Sequence, residues 1–414
     1  MEESKFNQDE ISRIINSAWA GSNDEIPSLR EKFENRLLDL GITSHQVEEN
    51  LQIEYRTLNG ILDGNLQRFD LLSLIKICQF LDIPEKEIVE LYLKYVSNKH
   101  REDLESSKKR AFILNNFDLN VLKSIGVINS IRNFDRIEEQ INSIFNLRSI
   151  TDYDTEDTGA AFSTTNLKPK SNKSRTYFIN KSRLVFRLIN NPRRYEKQAL
   201  IDYFPKIRWH STDIDNGMIN VFKSLFELGV TVIFHPSMPS LQMRGATFEV
   251  NGKPCIILTD YRKSYPTLWF ALLHELFHVL FDWDEILQKR YHISDEENDL
   301  FVVKQKEEEA NDFARQYLFP EPKLDIIIPR IKHKIIVKEF ALDNHVHPSV
   351  VYANYAFKYS TEENNLWQEF DKMIRPTMES LIRKMVNGLS HKSPAKEFAD
   401  YYKKHIYNLD EYEN

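Results

Sequence analysis

Cysteine is almost missing from this chain: two residues in 414, Cys78 and Cys255, far apart in sequence. That excludes a disulfide framework and a cysteine-rich zinc module. Glycine (11) and proline (15) are scarce, against any fibrous or low-complexity architecture. Excess positive charge is missing too. Lys and Arg number 55 against 62 Asp and Glu, a net charge of −7, so bulk electrostatics do not hold nucleic acid and any such binding needs a local basic patch. No apolar run approaches the ~18 residues that span a bilayer. The start (Met1, Glu2, Glu3, Ser4) has neither a basic nor an apolar signal region. These absences predict a soluble, cytoplasmic protein without a membrane partner. What is present is 41% hydrophobic, 12% aromatic and 28% charged residues, a balance that buries sizeable cores. At roughly 150 residues per domain, the length predicts two or three domains.

Residues 31–96 read as short helices. Phe33, Leu37, Leu38 and Leu40 recur at helical spacing and stop at Gly41; Thr43 or Ser44 caps the next helix, with Val47 and Leu51 facing inward. Tyr55, Leu58, Ile61 and Leu62 mark a third helix that stops at Asp63 and Gly64, and Asp70 opens a fourth. The run from Gly41 through Gln46 and Val47 to Gly60 and Gly64 resembles the XRE/Cro-type helix-turn-helix family. The resemblance implies an all-α module over 1–97 whose second motif helix enters the major groove of double-stranded DNA, with Glu54, Arg56, Thr57 and Asn59 near the bases. Residues 31–99 carry 8 Lys and Arg against 12 Asp and Glu, a net of −4. An acidic module binds phosphate poorly unless it dimerises, which suggests a homodimer or, instead, a helical protein-interaction module.

Residues 98–175 read as a helical connector followed by a polar linker. The basic stretch from Lys99 to Arg110 reads as solvated linker, and 113–150 return to helical spacing through Leu119, Leu122, Ile137 and Ile141. Residues 154–175, rich in Thr, Ser, Asn and Lys, read as exposed linker. From 176 the pattern is helical up to Leu228. It then changes to strands at Val230–Phe234, Gly245–Val250 and Cys255–Leu258, with Asn251 and Gly252 as a hairpin turn.

The next helix carries the chemistry. His274 and His278 lie four apart, so both imidazoles leave one helical face and can share a metal. Glu275 lies about 100° round the helix, placed to act on a metal-bound water without being a ligand. A third ligand is sought downstream, in a helix marked by Ala310, Phe313, Ala314, Tyr317 and Leu318. Glu307 and Asn311 share a side there; Glu307 can reach the metal while Asn311 supports a histidine from behind, and Glu309 is the rival ligand. Trp269, Phe270, Phe281 and Trp283 read as core packing around the metal helix, and His235, His345 and His347 as solvent-facing loop residues.

Together, Phe226 to Val232, Arg244 to Thr247, Ile256 to Leu258, His274 to His278, Glu307 to Asn311 with Phe313 and Ala314, and Leu318 to Pro320 resemble the ImmA/IrrE zinc metallopeptidases. The resemblance implies an α+β, gluzincin-like core with a small sheet over 176–330. A helical C-terminal segment follows over 331–414. It also implies zinc held by His274, His278 and Glu307, with Glu275 moving the proton between water and leaving amine. Tyr261, Arg262 and His292 are candidates for stabilising the oxyanion. The strand around Gly245 reads as a short edge that an extended substrate can join. The implied function is a regulatory endopeptidase that cleaves or inactivates an XRE-type repressor in stress response or mobile-element induction, recruited to DNA or to its target by the helix-turn-helix. The alternative is a DNA-binding regulator or antitoxin-like protein whose peptidase domain senses a signal or is inactive.

Overall fold

A computed structural model describes residues 27–66, 68–95, 98–154, 161–164, 172–238, 241, 243–260, 263–288 and 297–409. The chain divides into two compact units, residues 1–108 and 109–414.

In the first unit, α1 (Leu29–Leu40) starts at a reciprocal cap between Ser28 and Glu31 and ends at Gly41, whose φ of 64° suits glycine. The same device, Thr43 with Gln46, opens α2 (Ser44–Leu51). Helices α3 (Tyr55–Leu62), α4 (Leu71–Leu81) and α5 (Glu85–Tyr95) follow, and Asp70 caps α4 through Ser73. Phe33, Val47, Leu58, Ile61, Ile77 and Ile88 form the core that these helices share.

The basic stretch read as linker is helical instead: α6 spans Asn98–Asn116. There Lys108 pairs with Glu105 and Lys109 with Glu138, so part of the charge is neutralised along helical surfaces. Next come α7 (Leu119–Ser124), α8 (Phe134–Phe145), α9 (Asn172–Ile189), α10 (Lys197–Ile207) and α11 (Gly217–Glu227). Strands β1 (Ala161–Thr164), β2 (Thr231–His235), β3 (Met243–Val250) and β4 (Lys253–Thr259) form one mixed sheet in the order β1-β3-β4-β2. β3 and β4 are an antiparallel hairpin turning at Asn251 and Gly252, whose φ of 54° and 74° are the left-handed values such a turn needs. β2 lies parallel to β4, Thr231 opposite Cys255. Two expectations are corrected here. The segment 154–175 is not all linker, since it contributes β1 and the start of α9, and the edge of β3 around Gly245 is not open, because β1 pairs along it.

The other edge of the sheet is β2. Tyr402 donates to and accepts from the backbone of Phe234, and Tyr407 does the same at Val232. Two buried phenols thus satisfy the groups that a fifth strand would otherwise pair. His235, at the end of β2, is 1% exposed and not solvent-facing, stacked on Phe398.

α12 (Tyr265–Phe281) packs across β3 and β4, and α14 (Glu297–Leu318) packs alongside it, after the short α13 (Trp283–Leu287). Beyond α14 the chain is helical: α15 (Glu321–Ile327), α16 (Lys334–Asp343), α17 (Pro348–Tyr359), two short turns at Leu366–Glu369 and Asp371–Ile374, α18 (Glu379–Val386) and α19 (Ala395–Tyr401). Leu366, Phe370, Ile374, Leu381, Met385 and Phe398 join the single large core of the unit. No helix among the described residues is long and apolar enough to cross a membrane.

Candidate metal centre

α12 is apolar on nearly every side, so His274, Glu275 and His278 are carried into the interior and all three are fully buried. The two imidazoles converge, with their Nε2 atoms 3.2 Å apart. Glu307, on α14, spans both: its Oε2 lies 3.2 Å from His274 Nε2 and its Oε1 3.5 Å from His278 Nε2. These three residues are the one group among the described residues whose donor atoms gather closely enough to hold a metal ion. The spacing fits such an ion. Four ligands at about 2.0–2.1 Å in a tetrahedron stand about 3.3 Å apart. The Glu307 side chain is 22% exposed, so the cluster opens on that side. Glu309, the rival, is exposed and accepts from Gln305.

The charges answer one another. Burial alone would raise the Glu307 carboxyl, but hydrogen bonds and proximity to the two histidines outweigh it and hold it at about 2. Burial alone would lower His278, but Asp282 and Glu307 push it up to about 10. The rise of His278 reflects the carboxylates gathered around it, and the fall of Glu307 the two imidazoles that face it. His278 Nδ1 donates to Asp282 Oδ2 at 2.8 Å, which directs Nε2 at the centre. Asp282 is in turn held by Lys306, 3.2 Å from its other oxygen, and Lys306 also bonds Glu285.

Glu275 projects toward the sheet. Thr247 Oγ1 donates to Glu275 Oε2 at 2.7 Å, while Oε1 is buried with no hydrogen-bond partner. Burial raises this carboxyl, with the two histidines and Thr247 pulling the other way. Gly245 is what lets the carboxylate sit there, since a Cβ at that position would lie 2.8 Å from Oε1.

Asp282 and Thr247 were missed by sequence reasoning. Asp282 had a signal, four residues beyond His278 and therefore on its face of the helix. Thr247 lay within the stretch Arg244 to Thr247 that carries the resemblance, but no spacing tied it to Glu275, which it meets only through sheet-on-helix packing.

Asn311 is half-buried beside a cavity of about 310 Å³ that also touches Arg244, Phe270, Phe357 and Trp367. Its Oδ1 has no partner, and no hydrogen bond joins it to either histidine among the described residues. Phe270 therefore lines a cavity, Trp269 and Trp283 are buried, and Phe281 is 61% exposed and not core. Tyr261, Arg262 and His292 lie outside the described residues.

In the first unit Glu54 and Arg56 are exposed and Thr57 is half-buried on α3. The Asn59 amide is engaged within the unit: it donates to Tyr55 O and accepts from Arg30, which also pairs with Asp63.

No curated protein and no solved structure matches the chain. Residues 227–352 match the model of the IrrE N-terminal-like domain, a peptidase family designated M78. That stretch runs from the end of α11 into the first half of α17 and includes His274, Glu275, His278, Asp282 and Glu307, so the part of the chain that builds the centre is similar to a metal-dependent peptidase domain.

Proposed function

We propose that the second unit is a zinc-dependent endopeptidase that cleaves or inactivates a transcriptional repressor, and that the helical module of the first unit recruits it to DNA or to that target. The observation that carries the peptidase reading is the general base: a buried carboxylate with one oxygen held by Thr247 and the other unpartnered, beside three converging metal donors. His274, His278 and Glu307 would hold the cation. When bound, it supplies Lewis acidity, bringing the pKa of a coordinated water toward about 7 and polarising a peptide carbonyl.

The remaining work falls to this chain's own residues. Glu275 Oε1 takes a proton from the attacking water and delivers it to the leaving amine, and burial suits the carboxyl to hold that proton between the two steps. Thr247 keeps the carboxylate from rotating away, and Asp282 keeps His278 in the tautomer that presents Nε2. A vestigial site would gain nothing from keeping the base, its anchor and the glycine that makes room for it.

Glu275→Gln keeps shape and hydrogen-bonding capacity and removes proton transfer. Zinc content is expected to stay as in the wild type while hydrolysis falls by about 10²–10⁴-fold. Proteomics of cells expressing either form reads the target directly, since an intact repressor should accumulate only with the variant. Equal cleavage by both forms would refute the mechanism.

A further inference from the structure

β1 lies where the peptidase reading needs room for a substrate. It runs antiparallel to β3, with Ala161 opposite Thr247, Phe162 opposite Ala246 and Ser163 opposite Gly245, and after a register shift Thr164 opposite Met243. Two of the four β3 residues it pairs with border the general base. Gly245 leaves space for the Glu275 carboxylate and Thr247 holds it. β1 also packs against α12, the helix that bears both histidines. The backbone of 161–164 thus follows the sheet edge that borders the catalytic carboxylate.

An extended polypeptide reaches a site of this kind by adding a strand to the exposed edge, taking affinity from main-chain hydrogen bonds. The outer N–H and C=O groups of β3 can serve one strand at a time. We propose that the β3 edge is the substrate-binding edge and that residues 161–164 are its intramolecular occupant, running antiparallel to β3 and excluding other chains until they leave. The partner that fits is an unfolded or extended polypeptide segment. A folded surface cannot displace a strand. The catalytic consequence rests on the peptidase reading; the occupancy does not.

A tethered competitor acts at an effective concentration of about millimolar, so its removal is read as a large gain. Phe162→Pro combined with Ser163→Pro removes the N–H at two successive positions. N–H groups alternate in direction along a strand, so one of the two must be a ladder bond. The probe is a fluorescein-labelled peptide, Gly-Ala-Ala-Phe-Ser-Thr-Thr-Asn, the sequence of 159–166. It is titrated by fluorescence polarisation against full-length protein carrying Glu275→Gln, with and without the proline pair. Binding is expected to tighten at least about 10-fold with the prolines, at equal zinc content. Equal binding, or none to either form, overturns the proposal.

Hydrogen exchange on the chain without prolines guards against a folding defect. The amides of 161–164 that face β3 and the β3 amides that face them should be protected together, and exchange of both sets at the unprotected rate overturns the proposal without any variant. With Glu275 restored, the proline pair should raise hydrolysis of labelled casein by a similar factor. A gain in peptide binding with no hydrolysis from either form would sink the peptidase reading and leave the occupied edge standing.

Discussion

Asp282 sets the aim of His278, and the loss of its charge is the most selective perturbation of the centre. Asp282→Asn preserves the volume and leaves Lys306 paired with Glu285. Affinity for a divalent metal, with zinc as the probe, is expected to fall about 10–100-fold, the usual cost of losing a carboxylate behind a ligating imidazole. Competition against a chromophoric chelator measures it, and unchanged affinity would mean that Asp282 is only a helix-end residue. At this scale the sequence was legible where spacing along one helix does the work. His274, Glu275 and His278 needed nothing but a period of 3.6 residues, whereas Glu307 lies on another helix and was set above Glu309 by its place beside an apolar stripe. Thr247 and Gly245 shape the base from a strand 28 and 30 positions away, and only the register of β3 on α12 brings them there. Asn311 shows the limit of the same reasoning: spacing put it beside Glu307, but its amide faces a cavity and bonds neither histidine.

Elements with their own start and stop signals were equally legible. The Thr43 and Asp70 caps and the Asn251–Gly252 turn all depend on residues within four positions of one another; the Ser28–Glu31 cap, just as local, went unread. β1 was hidden because Ala161–Thr164 lies in a polar stretch with no alternation; what makes it a strand is the vacant edge of β3, not its own composition. The covering of β2 was hidden for a similar reason. Phenols at 402 and 407 meet backbone at 234 and 232 across about 170 residues of sequence. Replacing both by Phe keeps the rings, including the stacking of Tyr407 on Phe226, and strips the partners from buried N–H and C=O groups. Each lost hydroxyl is expected to cost about 1–3 kcal/mol in urea unfolding. A loss below the error of that measurement would mean that the edge is hydrated instead.

The whole molecule contains two units with separate cores, so unfolding is expected in two transitions, and only the larger should carry a pH signature from Lys181. Lys181, on α9, is 1% exposed; it donates to His391 O at 2.8 Å and lies 4.8 Å over the Phe398 ring. Burial pulls its ammonium down to about 7, against a weak opposite pull from Glu397. His235 and His391 face it but are themselves held low by burial, His391 at about 4, so neither titrates above pH 7. An unfolded lysine titrates near 10.5, so between pH 7 and 10 the unfolded chain binds more protons than the folded one, and stability rises with pH. Below pH 7 the cost of burying the charge is carried in full. Over those three pH units the recovery is about 3 kcal/mol. Lys181→Met fills the same space without a proton to lose. Its stability relative to wild type should therefore fall by that amount as pH is raised, while every other titrating group cancels in the comparison. Parallel pH profiles for the two proteins would show that the ammonium is neutral or hydrated throughout.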